Sequence, residues 1–413
     1  MRKFHLPFFA GLWLTLATLF WGGNVALAEA AEVVLGDQQT DEYLPRLTGK
    51  RVALFCNHSA LVGDKHLLEV LLEEGVQVTG LLAPEHGIRG KAAAGASIAD
   101  QVDEATGIPI MSLYDGTTTT VRPSAETMGT FDVLLIDIQD VGLRYYTYYI
   151  TICDLLEACS DYGKEVILLD RPNPNGHYVD GPVLDMSLKS HIGRLPIPVV
   201  HGMTLGELMR MAIGENWLSI PKGLNFDVIP CLNYTHQTPY APPVPPSPNL
   251  PNLKSIYLYP SLCPFEGTAV SIGRGTSHPF QCFGHPALKG EYSYSFTPQS
   301  VPAAPNPPLQ GEVCYGLDFR QVSDADLRHK EIDLSYVIDA YRIFVQKGLG
   351  DKFFHKVTLA DLGEVEHFDL SMGQAYVREA IIAGKDNAEI RAMWQQDVEN
   401  FRQQRKPYLL YEE

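Results

Sequence analysis

The sequence predicts an α/β protein with a doubly wound, mostly parallel sheet in its N-terminal domain and a smaller α+β C-terminal domain. Short apolar runs rich in Val, Ile and Leu recur through the N-terminal half, as expected for strands buried on both faces. Helical patterns lie between several of these runs, which is the βαβ order of a parallel sheet. The length of 413 residues and the hydrophobic content of 45% fit a globular chain of about two domains.

The individual elements follow from the same patterns. Strands are predicted at residues 51–56, 76–82, 108–113, 131–138 and 165–169, and helices at residues 65–74 and 148–162. Thr204 and Glu207 are spaced as a capping box, which predicts a helix from there to about residue 213. After residue 335 helices dominate, and apolar residues in 388–405 form one stripe that we expect in the core.

Two proline-rich segments organise the rest of the chain. Residues 238–253 contain seven prolines, which forbid a regular helix and favour extended structure. We therefore place the domain boundary near the end of this segment, with a first domain at residues 32–250 and a second at 251–413. Residues 297–310 are predicted to form a surface loop within the second domain.

The first 28 residues have the pattern of a secretory signal peptide. Arg2 and Lys3 precede an almost wholly apolar run, and Ala26-Leu27-Ala28 offers a small-x-small cleavage site. Cleavage after Ala28 would make the mature protein periplasmic or secreted, without a stable membrane anchor. An uncleaved anchor is the alternative, although the apolar run is short for a membrane span.

Charge and cysteine content exclude several functions. The net charge of −17 argues against a non-specific binder of nucleic acid or of anionic membranes, since both need clustered Lys and Arg. The seven cysteines form no C-x-x-C pair, which excludes a zinc ribbon and a thioredoxin motif. Their odd number leaves at least one thiol unpaired, and both disulfides and buried thiols remain open.

Polar residues follow the predicted strands where each strand ends. In open α/β sheets the ligand lies beyond the carboxyl ends of the strands, so these residues are candidates for a binding site. Turns also favour Asp and Asn for local hydrogen bonds, which is the alternative for each residue alone. The candidates are Asn57, Glu85, His86, Asp137, Gln139, Asp140, Asp170, Arg171 and Asn173.

Most common site chemistries lack their motif here. No G-x-G-x-x-G follows the first strand, and neither a G-x-S-x-G elbow nor a P-loop occurs, so no nucleotide is expected. His58, His86 and His201 show no paired spacing for a metal, and each could equally be a structural histidine. We expect no cofactor and no metal. An amidase or esterase would need a nucleophile or metal that the sequence does not offer.

Carboxylate acid/base chemistry remains, as in glycoside hydrolysis. Glu85 lies between Pro84 and His86 in a tight turn, where partial burial could keep it protonated. Glu266 is surrounded by apolar and small residues and precedes the loop that carries Arg274. The alternatives are a solvated turn for Glu85 and a structural ion pair between Glu266 and Arg274.

Six ordered motifs give the sequence a specific resemblance. They are APEHGIRG (83–90), DIQDVGLRYYTY (137–148), LDRPNPNG (169–176), HGMTLGEL (201–208), PPSPNLP (245–251) and FEGTAVSIGRGT (265–276). Together they resemble the exo-β-N-acetylmuramidase family, formerly a domain of unknown function. The resemblance implies a Rossmann-like N-terminal domain and a cleft between two domains. It also implies removal of non-reducing terminal N-acetylmuramic acid from peptidoglycan fragments, with Glu85 and Glu266 as the catalytic pair.

Substrate-binding roles follow from the chemistry of that sugar. Its lactyl carboxylate needs a local cation, for which Arg144, Arg171 and Arg274 are candidates. Tyr145 could stack on a sugar face, although a Tyr pair at the start of a helix often only packs. His86, Asp137, Asp140 and Asp170 are expected to shape the site, and Asn57, Gln139, Asn173 and His201 to line it.

Two features depart from the family. Ile272 stands where many relatives carry an acid, so this position is not expected to be catalytic, and residues 117–120 form an unusual Thr-rich insert. The expected partners are muropeptides or disaccharides from peptidoglycan, and neither nucleic acid nor nucleotide. A secreted two-lobed protein that binds such sugars without turnover is the alternative function.

Overall fold

A computed structural model describes residues 31–85, 87–89, 101–113, 122–329 and 331–413. The predicted signal peptide, His86 and the Thr-rich insert lie outside the described residues. We call residues 33–250 the first lobe and residues 251–413 the second lobe. Residues Val33–Glu413 pack as one compact unit, so these names mark positions in the chain, and the predicted domain boundary stays a prediction.

The first lobe contains the predicted parallel strands. Its strands are β1 (Arg51–Cys56), β2 (Leu61–Val62), β3 (Lys65–His66), β4 (Gln77–Ala83), β5 (Gln101–Val102), β6 (Pro109–Ser112), β7 (Val133–Asp137), β8 (Glu165–Leu169) and β9 (Asn225–Ile229). Among the described residues, seven of them form one sheet in the order β5-β6-β4-β1-β7-β8-β9. Only β5 pairs antiparallel, and the short strands β2 and β3 form a separate hairpin.

The strand order makes the sheet doubly wound. From β1 the chain adds β4 and β6 on one side, and then returns to add β7, β8 and β9 on the other. The order therefore reverses between β1 and β7, where open α/β sheets usually bind their ligand. The α/β fold class is confirmed, and the strand β9 is an addition that the sequence patterns missed.

Helices cover both faces of this sheet. In the first lobe they are α1 (Thr40–Leu47), α2 (Leu67–Glu73), α3 (Ala125–Gly129), α4 (Tyr148–Tyr162) and α5 (Leu205–Gly214). The predicted helix at 65–74 begins two residues late because Lys65 and His66 belong to β3. The capping box is confirmed, since the Thr204 hydroxyl accepts from the Glu207 amide while the Glu207 carboxylate accepts from the Thr204 amide.

The second lobe is smaller and mixes helices with antiparallel strands. Its helices are α6 (Leu253–Leu262), α7 (Asp324–Arg328), α8 (Ser335–Gln346), α9 (His367–Met372), α10 (Ala375–Ile382) and α11 (Asn387–Arg405). Its strands are β10 (Cys282–His285), β11 (Tyr294–Phe296), β12 (Cys314–Asp318), β13 (Lys356–Leu359) and β14 (Gly363–Glu366). The first three form a sheet in the order β10-β12-β11, and the last two form a hairpin. The sequence patterns had identified none of these strands.

The hydrophobic core runs through both lobes. One face of the large sheet packs on α1 and α2, and the other packs on α4, α5 and residues of the second lobe, including Phe265 and Trp394. The predicted stripe of α11 is buried at Ile390, Trp394, Val398 and Phe401, but the prediction was wrong for Met393, which is 41% exposed. The core on one face of the sheet therefore continues into the second lobe.

Two further observations concern residues that the sequence had left open. All seven cysteines are buried free thiols. No helix in the described part of the chain combines the length and the apolar character that a membrane crossing requires.

Candidate active site

Glu85 follows the carboxyl end of β4 and is partly buried. The hydroxyl of Thr147, the residue that precedes α4, donates a hydrogen bond of 3.0 Å to Glu85 Oε2. The side chain therefore has a fixed direction, set by the start of α4. Of the predicted polar residues at the strand ends that the structure describes, Glu85 is the one that lies on the wall of a large cavity.

Glu266 reaches the same cavity from the second lobe. It lies in a short 3₁₀ turn, Cys263–Gly267, that directly continues α6. Arg274 donates to Glu266 Oε1 through both Nε and Nη2 at 2.7 Å, and its guanidinium lies 5.1 Å from the ring centre of Phe280. The Cys263 thiol donates to Oε2 at 3.5 Å. These contacts hold the carboxylate in one orientation beside a permanent positive charge.

The cavity between these glutamates has a volume of about 580 Å³. A smaller cavity of about 140 Å³ adjoins it and shares Glu85, Thr147, Ile192, Glu266 and Arg274 with it. Tyr145 and Tyr146 line the smaller cavity. Pro308 and Leu309, from the second proline-rich segment, line the larger one. A volume of this size suits one sugar unit with its substituents.

Four histidines on the wall of the larger cavity were missed by sequence reasoning. They are His191, His285, His355 and His367. They come from four separate segments, so no spacing in the sequence could have grouped them. The one signal in the sequence was the family motif around Glu266. Gly267, the residue after Glu266, packs against the first turn of α9, where His367 lies.

The remaining strand-end residues are buried elsewhere. Asn57 accepts hydrogen bonds from the amide and hydroxyl of Ser59 at 2.9 and 2.6 Å, and Gln139 donates to the carbonyls of Asp140 and Pro172. Asp140 accepts from the Gly142 amide at 2.6 Å, and burial raises the pKa of Asp140 to about 7. These contacts fill the reversal point between β1 and β7 with protein.

The proline-rich segment covers this reversal point from outside. Tyr146 and Tyr148 both donate their hydroxyls to the carbonyl of Pro246, at 2.9 and 3.2 Å. The ring of His58 contacts the carbonyl of Pro245 at 2.7 Å. A ligand at the usual place for this fold would meet a packed layer of protein.

Arg171 lies inside the first lobe between two aspartates. Its Nε donates to Asp137 Oδ1 at 2.5 Å and its Nη2 to Asp37 Oδ2 at 2.6 Å, and all three side chains are buried. Burial together with the nearby Asp137 charge raises the pKa of Asp37 to about 7, despite Arg171. Two protein carboxylates thus bind the Arg171 guanidinium, and the expected contact of Arg171 with a ligand carboxylate stays a prediction.

Asp170, Asn173 and His201 also hold the fold together. Asp170 accepts from the Thr204 and Tyr411 hydroxyls, both at 2.6 Å, and burial raises the pKa of Asp170 to about 6. Asn173 donates to the Met203 carbonyl at 2.9 Å. His201 accepts from the Met203 amide, and burial lowers the pKa of His201 to about 3. None of these three described side chains lines either cavity.

Arg144 and Tyr145 connect the two lobes. Arg144 is fully buried and donates to the carbonyls of Pro182, Ile197 and Ser371, at 2.7, 2.9 and 3.0 Å. The Tyr145 hydroxyl donates to the carbonyls of Tyr259 and Pro260. The expected lactyl contact of Arg144 stays a prediction, and of the three candidate arginines only Arg274 lines the large cavity.

A cavity lined by one carboxylate from each of two lobes has the pair of groups that glycoside hydrolysis uses. Models of the N- and C-terminal regions of exo-β-N-acetylmuramidase NamZ match residues 52–254 and 257–411. The chain therefore belongs to the exo-β-N-acetylmuramidase NamZ family. It is 32% identical to the peptidoglycan β-N-acetylmuramidase NamZ of Bacillus subtilis (strain 168), over the whole of both chains.

Two solved structures from Bacteroides fragilis NCTC 9343 share the fold. Both are crystal structures of DUF1343 family proteins. One is 51% identical, with a TM-score of 0.83 over 93% of this chain and 100% of that chain. The other is 27% identical, with a TM-score of 0.73 over 92% of this chain and 99% of that chain. The Rossmann-like two-part architecture is thus shared with experimentally determined relatives.

Proposed function

We propose that the protein releases non-reducing terminal N-acetylmuramic acid from peptidoglycan fragments, with Glu85 and Glu266 as its catalytic carboxylates. The observation that carries the proposal is that both glutamates line one cavity of about 580 Å³, although they lie on different lobes. The name of the Bacillus subtilis relative supports the substrate class.

The two glutamates have different surroundings, which suggests different roles. Glu85 accepts from the neutral Thr147 hydroxyl, whereas Glu266 lies against the Arg274 guanidinium. Glu85 thus has a neutral partner, and Glu266 has a permanent cation that can balance negative charge during the reaction. We therefore assign Glu85 as the general acid that protonates the leaving glycosidic oxygen. Glu266 is the carboxylate that acts at the anomeric carbon or on the attacking water.

The place of action follows from the substrate and the N-terminal segment. Peptidoglycan lies outside the cytoplasmic membrane, and residues 1–28 have the composition of a secretory signal. We propose that the protein works in the periplasm or after secretion. Detection of a mature N-terminus at Glu29 in exported protein would test this location.

Hydrolysis of a chromogenic N-acetylmuramic acid glycoside tests the function directly. Glu85→Gln and Glu266→Gln should each lower kcat by roughly 10²–10⁴-fold, the usual range for acid–base catalysis. Glu69→Gln, on the exposed face of α2, is the matched control and should keep the wild-type rate.

Two results would contradict the proposal. A wild-type protein that binds the sugar by calorimetry but leaves the glycoside intact would be a binding protein. Full activity in the Glu85→Gln variant would remove Glu85 from the mechanism even if the substrate is right.

A further inference from the structure

His191, His285, His355 and His367, which we call the histidine wall, line the large cavity together with the two glutamates. His191 belongs to the first lobe, and the other three come from the end of β10, the segment before β13 and the start of α9. His355 is exposed at the rim, and the others are partly buried. The wall therefore extends from the Glu85 side of the cavity to its opening.

Backbone contacts fix two of these histidines relative to Glu266. The His355 amide donates to the Gly267 carbonyl at 2.9 Å, and the His367 amide donates to the His355 carbonyl at 2.9 Å. A Cβ at Gly267 would lie 2.5 Å from the Phe368 Cα and still closer to its nitrogen. The glycine after Glu266 is needed so that α9 can bring His367 to the cavity.

The charged residues around the cavity leave the histidines as the side chains that can gain a positive charge when a ligand binds. Among the described residues, the lining of the large cavity contains two carboxylates and one Lys or Arg side chain. That side chain is Arg274, which already binds Glu266. His285 accepts from the Ala287 amide through Nδ1, so its neutral ring carries its proton on Nε2. No three metal-ligating side chains within the described ranges converge as a metal site.

Three of the four histidines lie where their protonated form is disfavoured. Burial lowers the pKa of His191 and of His355, with His367 as the neighbouring imidazole in both cases. Burial and the nearby His355 lower the pKa of His285 to about 4. Glu85 faces His191 and Glu366 faces His355, and both acids oppose this lowering. An anion on the wall would favour protonation, so its binding should take up protons.

We propose that the histidine wall binds a carboxylate of the substrate and so selects muramic acid over glucosamine. The inference rests on the proposed function and names the part of the site that gives it specificity. The carboxylate could come from the lactyl ether of the sugar or from an attached peptide. We favour the lactyl group, because the wall shares one cavity with the glutamates that flank the scissile bond.

Calorimetry with three ligands at pH 5.5 and pH 7.5 tests this inference. The ligands are N-acetylmuramic acid, N-acetylglucosamine and N-acetylmuramoyl dipeptide, in which the lactyl carboxyl is an amide. Wild-type protein should bind N-acetylmuramic acid about ten-fold tighter than N-acetylglucosamine, the scale of one charge-assisted hydrogen bond. This preference should grow at pH 5.5, where more imidazole is protonated.

A His355→Gln/His367→Gln double variant should lose the preference and its pH dependence while still binding N-acetylglucosamine. His329→Gln, an exposed histidine outside the cavity, is the matched control and should behave as wild type. Preference for the dipeptide over N-acetylmuramic acid would assign the wall to the peptide and overturn the lactyl assignment.

Activity measurements separate this inference from the proposed function. If the muramic glycoside is hydrolysed with Glu85 required, but the double variant keeps the full preference, the wall inference fails alone. If wild type neither binds nor hydrolyses muramic sugars, both fail together.

Discussion

The carboxyl ends of the parallel strands and the wall of the large cavity carry similar polar side chains but use them differently. At the strand ends, Asp137, Arg171 and Asp170 are buried and bonded to other parts of the protein. At the cavity, Glu85 and Glu266 have partners on one side and the cavity on the other. Polar residues at strand ends therefore identify a site only if their bonding capacity is left for a ligand.

The difference arises from what covers the sheet. The proline-rich segment lies over the reversal point between β1 and β7, and the second lobe packs beside it. The cavity lined by both glutamates lies instead at the end of β4, one strand away from the reversal point. The following variants test this division between supporting and reacting groups.

Arg171→Met should have the largest effect, and it should be on stability. Removing the cation leaves Asp37 and Asp137 buried without their partner, so the free energy of unfolding should fall by about 3–5 kcal/mol. Arg46→Met breaks ion pairs at the surface and should cost under about 1 kcal/mol. Denaturant unfolding measures both. A large loss of kcat at unchanged stability would instead place Arg171 in the site.

Among substitutions outside the two glutamates, Gly267→Ala should lower the catalytic rate most. The new Cβ must push the Glu266 turn away from α9, and a displacement near 1 Å can cost roughly 100-fold in rate. Gly129→Ala, where a Cβ meets nothing within 4 Å, is the control and should leave kcat/KM unchanged. Equal rates for the two variants would show that this close approach does not position Glu266.

Arg274→Gln should lower kcat by roughly ten-fold or more, because two charge-assisted hydrogen bonds to Glu266 are lost. Arg274→Lys keeps the charge without the planar fork and should fall between this variant and wild type. Arg320→Gln removes an exposed ion pair with Asp318 and is the control. An effect on KM alone would show that Arg274 binds substrate rather than orienting Glu266.

Asp140→Asn should have the smallest effect, visible as a change in pH dependence. Because burial raises the pKa of Asp140 to about 7, the folded state holds this proton while the unfolded state has released it. Wild-type stability should therefore fall as the pH rises from about 4 to about 7. We compare the Tm of the variant with that of wild type at each pH. The difference should favour the variant by a few degrees more at pH 7.5 than at pH 4.5. Parallel Tm curves would mean that Asp140 is ionised in the fold.

The sequence predicted the scaffold of the first lobe better than the site. Buried parallel strands are nearly continuous apolar runs, so residues 51–56 and 165–169 could be located to the residue. The short strands of the second lobe could not, because Tyr294–Phe296 and Cys282–His285 lack any period long enough to detect. The family motifs identified both glutamates as candidates. They did not identify the residues, distant in the sequence, that line the cavity with them.

Burial explains why the sequence could not rank the candidate site residues. A buried Arg171 and a partly buried Arg274 look alike in a sequence, since only the fold determines which acid each one meets. The histidine wall was missed for a different reason. Consecutive members lie between 12 and 94 residues apart along the chain, from His355 to His367 and from His191 to His285, and only the packing of both lobes groups them.

The contact of Tyr411 with Asp170 links the order of synthesis to folding. Tyr411 lies 241 residues after Asp170, and the amide of Leu410 similarly completes the bonding of Glu207 from 203 residues further along. A nascent chain that contains only the first lobe has the bonds of Asp170 to Thr204 and Gly206 and of Glu207 to Thr204, but lacks those from Tyr411 and Leu410. The first lobe therefore gains its last hydrogen bonds to these two buried carboxylates only after residues 410 and 411 have been made.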